Sequence, residues 1–392
     1  VAINQLEAKA YRLATLSSIS FAPEHSTTVP KDISSYKIDD IRQSENAWLL
    51  FNHDIVIKIL RPYQDARYNL LTLHERHLCL VEGLRWNRIF SKDIHIGLAQ
   101  IYHWNLERRQ IGLGKILVNP RLKDLKPDAE YVLVMRKLPK ECRLDILLRQ
   151  GSSISHSFHA HVLSQYLAKL HAHLENATAR NDAIMWGSPE QLRKKLVYNL
   201  DMVDNPEKVK QEVLQDEHFR HLQSLSNLLK GLLLPLFDQS EFADYFEQRM
   251  VEGHIKRCHG DLKARNIWIL PSEYGEEKHL QEGVNVLDAI DFNPIFCNID
   301  TLSDAALLAV DLQVRTLSPQ LANYMIEDYL VQIEQTDKVS RFVLQYYLVE
   351  KAFIGAIVSI LYDDLPELGE SYLQAVLRNL ADLRKLISFR LI

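Results

Sequence analysis

The sequence predicts an α+β fold with two lobes: a small N-terminal lobe of mostly antiparallel sheet plus one long helix, and a larger, mainly helical C-terminal lobe. Three observations lead there. Short apolar strand patterns crowd residues 34–136, helical spacing dominates from Leu144 onward, and one β-rich island at 259–292 interrupts the helices. Leu138-Pro139-Lys140 ends the last strand of the first part, so residues 1–137 are assigned to one lobe and 138–392 to the other.

Residues 1–20 read as a helix with Leu6, Ala10, Leu13 and Leu16 near one face, and Pro23 and Pro30 mark a following loop. Ala47–Phe51 and Ile55–Leu60 are two strands separated by Asn52-His53-Asp54, which predicts a hairpin. Residues 65–90 carry helical spacing through Leu70, Leu73, His77, Leu80 and Leu84. Three further strands are expected at 98–104, 110–118 and 130–136. Beyond them, 157–174 is an amphipathic helix carrying Leu163, Leu167, Leu170 and Leu174, and 189–251 is a long, charge-rich helical region.

Composition narrows the function. Of 392 residues, 47% are apolar and 25% charged, which supports a substantial core. The net charge of −5 and the lack of a Lys/Arg block argue against a nucleic-acid partner. The longest apolar run, 352–362, is about half of what a bilayer span requires, so no membrane span is expected. The N-terminal VAINQLEAKAYRL lacks the charge-then-apolar pattern of a signal peptide. Cys79, Cys142, Cys258 and Cys297 form no Cys-x-x-Cys pair, which suits a reducing cytoplasm, the expected location.

The chemistry concentrates in Cys258-His259-Gly260-Asp261-Leu262-Lys263-Ala264-Arg265-Asn266, a loop leading into the apolar stretch 267–270. Phosphoryl transfer needs a carboxylate near the attacking hydroxyl and oxygen ligands for Mg²⁺ beside the phosphates. Asp261 and Asn266, five apart, suit those two tasks, and His259 is placed to brace the loop. A second stretch, 284–293, is an apolar strand ending in carboxylates, the way a main metal ligand is presented. Asp288 and Asp291 compete for that role; the sequence leaves the choice open, with a slight preference for Asp288.

His259-Gly260-Asp261-Leu262 with Asn266, then Leu287-Asp288, Ile299-Asp300 and Ser303-Asp304-Ala305-Ala306, resembles the aminoglycoside phosphotransferase family of the protein-kinase-like superfamily. The nearest likeness is to an uncharacterised bacterial branch, some of whose members carry an additional P-loop ATPase domain. It extends through Trp48-Leu49-Leu50, Ile57-Lys58-Ile59, Glu82-Gly83-Leu84-Arg85-Trp86-Asn87-Arg88, Val134-Met135-Arg136-Lys137-Leu138-Pro139, Leu167-Ala168-Lys169-Leu170-His171 and Arg249-Met250-Val251-Glu252-Gly253. The resemblance implies a kinase-like fold, ATP and Mg²⁺ as cofactors, and a small-molecule hydroxyl acceptor. It further implies that Lys58 contacts the α- and β-phosphates and that Glu82 holds its ammonium, with Glu75, two turns away on the same helical face, as the runner-up. Met135, Arg136 and the residues to Leu138 become the backbone hinge for adenine, Asp304 a hydrogen-bonding partner of the catalytic-loop backbone, and Lys263 a member of the catalytic set. Ser44 and Asn46 stand in the phosphate loop, where Ser44-Glu45-Asn46-Ala47-Trp48 contains no glycine. Lys263 replaces a His usual in small-molecule members, Arg265 is bulky where small residues are common, and no P-loop motif occurs.

Two other readings share this scaffold. A catalytically silent binding or assembly module with a protein partner is suggested by the glycine-free loop. A protein kinase or nucleotidyl transferase is suggested by Lys263. The histidines His156, His159, His161, His171 and His173 read as helix residues rather than a metal site, and Cys258 as a small packed residue. Asp363, Asp364, Glu367 and Glu370 read as a solvated cluster, with attraction of a cationic substrate as the alternative.

Overall fold

Alternation along the strands builds a seven-stranded antiparallel sheet: β1 (Ser34–Lys37), β2 (Asp40–Gln43), β3 (Ala47–Phe51), β4 (Ile55–Leu60), β5 (His95–Asn105), β6 (Gln110–Leu113) and β7 (Tyr131–Arg136), in the spatial order β1-β6-β5-β7-β4-β3-β2. The computed structural model describes residues 33–388 apart from 45, 65–68, 106–107, 151–152, 177–185, 206–210, 272–282, 292–293, 317–318 and 364. The helix expected at 1–20 lies outside the described residues. Contacts divide the chain into two units, Val1–Pro139 with Leu270–Asn293, and Lys140–Ile269 with Pro294–Ile392. The segment 284–293, assigned from sequence to the helical lobe, therefore belongs to the sheet-bearing unit.

In this first unit, side chains two apart share a sheet face. Trp48, Leu50, Ile57, Ile59, Val132 and Val134 pack one face. Ala47, Leu60, Leu98 and Leu133 pack the other, against Leu80 and Leu84 of helix α1 (Leu73–Phe90). Lys58, between Ile57 and Ile59 and cross-strand from Leu49 and Leu133, thus lies on the helix-covered face. Helix α1 starts eight residues later than its spacing suggested, because Thr72 and Glu75 form a capping box: the Thr72 hydroxyl accepts from Glu75 N, and Glu75 accepts from Thr72 N at 2.9 Å. Arg76 forks onto Glu130 (3.1 and 2.8 Å), with both side chains nearly buried, and ties α1 to the residue preceding β7. Strand β6 ends at Leu113, five residues before the expected 118.

The second unit contains α2 (Leu144–Gln150), α3 (Ser153–His173), α4 (Pro189–Asp204), α5 (Glu217–Leu233), α6 (Ser240–Val251), α7 (Thr301–Thr316), α8 (Pro319–Gln332), α9 (Lys338–Ile357) and α10 (Pro366–Ser388). The helical region expected at 189–251 is broken where local chemistry breaks it. Ser188 caps α4 with Pro189 in its first turn, Asp216 caps α5, and Pro235 opens the 3₁₀ turn Leu234–Asp238. By length and composition Lys338–Tyr362 suffices to cross a membrane, but 72% of its apolar window is buried inside the protein, as in a core helix. Phe242, Phe246 and Tyr346 stack edge to face in that core. Two short strands, Ile255–Arg257 and Asn298–Asp300, pair antiparallel and bracket the loop that begins at Cys258.

Candidate functional site

In the sheet-bearing unit, Lys58 Nζ lies 3.6 Å from Asp288 Oδ1. The lysine side chain is 28% exposed, whereas Asp288 is 71% exposed, so the ammonium is sheltered and the carboxylate projects outward. Burial pulls the Lys58 pKa down, but Asp288 and then Asp291 more than offset it, and the net shift is upward. Lys58 is therefore cationic at neutral pH. Nearby His95 is buried, and burial takes its pKa down to about 4, so it adds no second charge. Asp288 adopts φ +66°, a left-handed conformation that is uncommon for any residue with a Cβ. A stored strain of this kind persists only where neighbours over-determine it.

Those neighbours form a stripe along α1 and its C-cap at residues 79, 83, 87 and 91, one position per turn. Ser91 Oγ donates to Val286 O (2.7 Å), and Asn87 Oδ1 accepts from Ala289 N (3.0 Å). Gly83 leaves the room that Asp291 occupies: a Cβ there would collide with Asp291 Oδ2. Burial, with Asp291 beside it, pushes the Cys79 thiol up to about 12, so it stays protonated.

In the helical unit, Asp261 is held by three groups. Lys263 Nζ stands 2.6 Å from Oδ1, Asn266 Nδ2 donates to Oδ2 (3.2 Å) and to Asp261 O (3.0 Å), and Arg265 Nη2 lies 3.8 Å from Oδ2. Burial raises the Asp261 pKa, but Lys263, then Arg265 and His259, outweigh it and hold the carboxyl below its usual range. Because Asn266 spends its N–H₂ on Asp261, its amide oxygen remains available as a ligand. The loop is stapled by two buried carboxylates seven residues apart on one face of α7. Asp304 accepts from His259 N (3.1 Å) and Gly260 N (3.0 Å), and Asp311 accepts from Ala264 N (2.7 Å). Gly260 sits at φ +81°, which explains the glycine. His259 is fully buried, and its Nδ1 accepts from Asp261 N (3.2 Å), a bracing role.

His171, Cys258 and Asp304 form a buried group of metal-ligating types, yet their atoms are engaged otherwise. Asp304 takes the loop amides, His171 Nδ1 meets Tyr329 Oη at 2.7 Å, and the Cys258 thiol donates to Ile299 O (3.5 Å). Burial keeps that thiol protonated, with its pKa well above the ordinary value. Behind the loop, Arg249 and Asp300 form an almost wholly buried pair, with Nη2 2.7 Å from Oδ1.

No protein-family model matches this sequence, and no curated protein matches it. Among solved structures, the chain is similar to a glucosamine kinase at 11% identity, covering 94% of this chain and 85% of that one, with a TM-score of 0.44. It is similar to the GDP complex of wild-type aminoglycoside 2'-phosphotransferase-IIIa at 13% identity, covering 96% and 99%, with a TM-score of 0.43. It is also similar to a choline/ethanolamine kinase family protein from Mesorhizobium loti at 10% identity, covering 97% and 98%, with a TM-score of 0.38. Small-molecule kinases are what this chain resembles in structure. The side chains' roles rest on the chain's own geometry.

That geometry corrects one expectation. Glu82 does not hold Lys58; it lies 3.8 Å from Arg85 on an exposed face, and Glu75 is used as a helix cap. The rotation of α1 presents Cys79 and Gly83, not Glu82, toward the Lys58 side of the unit. Asp288 is the counter-ion instead, with Asp291 the next carboxylate. In the β2–β3 turn, Ser44 Oγ donates to Asn46 Oδ1 (3.1 Å) and accepts from Ala47 N (3.1 Å), so both side chains stabilise the turn itself. At the expected hinge, Arg136 N donates to Ile94 O and Lys137 N to Asp54 O (both 2.8 Å), and Met135 lies in the sheet register opposite Val56. Leu138 remains the position whose backbone is not engaged among the described residues. Asp311 and the 79/83/87/91 stripe escaped the sequence reading.

Proposed function

We propose that this chain is an ATP-dependent phosphotransferase that moves the γ-phosphoryl group to a hydroxyl of a small molecule. The observation that carries the reading is Asp261: a carboxylate kept ionised, fixed by Asn266 and Lys263, on a loop pinned through Asp304 and Asp311. In the transfer, the acceptor oxygen bonds to the γ-phosphorus as the bond to the β,γ-bridging oxygen breaks. ADP leaves with that electron pair, and the hydroxyl proton passes to Asp261 and then to solvent. A carboxylate with a lowered pKa is a weak base, so Asp261 orients the hydroxyl and takes the proton late. Lys58, with Asp288 as its counter-ion, neutralises phosphate charge. Asp288, Asp291 and the Asn266 amide oxygen are all-oxygen donors that fit Mg²⁺, which neutralises phosphate charge when bound. The reading requires both residue sets to act on one nucleotide.

A thermal-shift titration with ATP and Mg²⁺ tests it. The expected result is a Mg²⁺-dependent rise in melting temperature that disappears when Asp288→Ala and Asp291→Ala are combined. No shift at millimolar nucleotide supports the second reading, a silent binding module. That reading draws on the β2–β3 turn, where Ser44 and Asn46 bond each other.

A further inference from the structure

Around the loop that carries Asp261, exposed arginines stand beside carboxylates that already have partners, whereas the chain as a whole is acidic. Helix α2 and the 3₁₀ turn Ala264–Asn266 pack against each other and against α7. Each carboxylate in this cluster is already taken. Asp145 is 2.9 Å from Arg143 Nη2 and 3.9 Å from Arg149. Asp311 serves Arg315 (2.8 Å), Ala264 N (2.7 Å) and the Tyr372 hydroxyl (3.3 Å). Asp261 serves Lys263 and Arg265. Five cations thus meet three of these carboxylates, and Asp304, the fourth, is buried and spent on the loop amides, whereas the whole chain carries −5.

The surplus is exposed. Arg265 is 52% and Arg149 70% exposed, and each reaches its carboxylate only at 3.8 or 3.9 Å, so most of their donors remain available. Glu370, an acidic group that would favour a cationic acceptor, is turned elsewhere. Glu370 meets His221 (3.2 Å) on α5, while Tyr372, two positions on and nearly opposite around α10, meets Asp311.

We infer that the acceptor whose hydroxyl reaches Asp261 is an anionic alcohol, one carrying a phosphate or carboxylate that Arg265 and Arg149 attract. This rests on the proposed phosphotransfer and specifies its substrate class. Attraction by half-exposed cations acts mainly on encounter and affinity, so it belongs in KM and weakens with salt.

Matched acceptors test it: glycerol against glycerol 3-phosphate and glucosamine against glucosamine 6-phosphate, with choline and kanamycin as cations, scored by acceptor-dependent ADP release. The expected result is kcat/KM roughly tenfold or more higher for the phosphorylated members, falling as salt rises. Arg265→Glu should raise KM for those acceptors and invert the ranking, and the more exposed Arg149→Glu should move it the same way by less. A ranking led by choline, kanamycin or the neutral members overturns the inference, as does a ranking unchanged by both variants. Calorimetric titration of glycerol 3-phosphate without nucleotide separates the two claims. Binding that Arg265→Glu abolishes, with no transfer to any acceptor, defeats the transfer reading and keeps the anion site; no binding and no transfer defeats both.

Discussion

The loop 258–266 and the segment 284–291 both present carboxylates, but they are held in opposite ways. Asp261 is 23% exposed, and its loop is fixed from behind by Asp304 and Asp311, both buried in α7. Asp288 is 71% exposed, left-handed, and held by one 3.6 Å ion pair plus the polar stripe of α1. The first arrangement is rigid before any ligand arrives, which suits a group that must meet a reacting hydroxyl. The second leaves carboxylate oxygens facing outward, which suits a group that completes its coordination with a ligand.

Removing a staple tests the rigid side most severely. Asp304→Ala leaves the buried His259 amide and the half-buried Gly260 amide without their acceptor, and by that loss it should destabilise the protein by about 3–5 kcal/mol. Chemical denaturation measures this; a loss within about 0.5 kcal/mol of zero would mean that the loop is not held from α7. On the open side, Gly83→Ala forces a methyl into Asp291 and should cost about 1–3 kcal/mol while weakening Mg²⁺-dependent nucleotide binding. Unaltered binding in that variant would mean that Asp291 is not needed for the site. Lys263→Met is the finest probe. Lys263 is the leading cause opposing burial at Asp261, so its loss should move the acid limb of the pH–kcat/KM profile to higher pH. The same sign holds for stability. A depressed carboxyl pKa contributes above its unfolded value and is lost as pH falls through the folded one, so the variant should lose that contribution at less acidic pH.

How much of this was legible in the sequence follows from how local each feature is. The hairpin Ala47–Phe51/Ile55–Leu60 and the Asp261–Asn266 pair were readable because turn chemistry and short spacing encode them. The contact of Asp304 with the loop amides, expected from family resemblance alone, is present in the geometry. The partner of Lys58 was not readable, because it depends on how α1 is rotated against the sheet, which its apolar stripe constrains only within a turn or so. A signal did exist: Cys79, Gly83, Asn87 and Ser91 recur every four residues, small or polar in an otherwise bulky helix. Asp311 likewise repeats Asp304 after two turns, inside a helix too apolar for an uncommitted carboxylate. The helix start at Leu73 was hidden by apolar spacing that continues through Leu70, although the Thr72/Glu75 box marked it.

The proposal that Asp288 and Asn266 both serve one bound nucleotide is tested most directly by a double-mutant cycle read in Mg-ATP affinity. Calorimetric titrations would compare wild type, Asp288→Ala, Asn266→Ala and the double variant. Under the proposed function each single change weakens Mg²⁺-dependent binding about tenfold, and the double variant loses clearly less than the sum, the result expected of two ligands to one ion. Wild-type affinity in Asn266→Ala, or strictly additive losses, would contradict it.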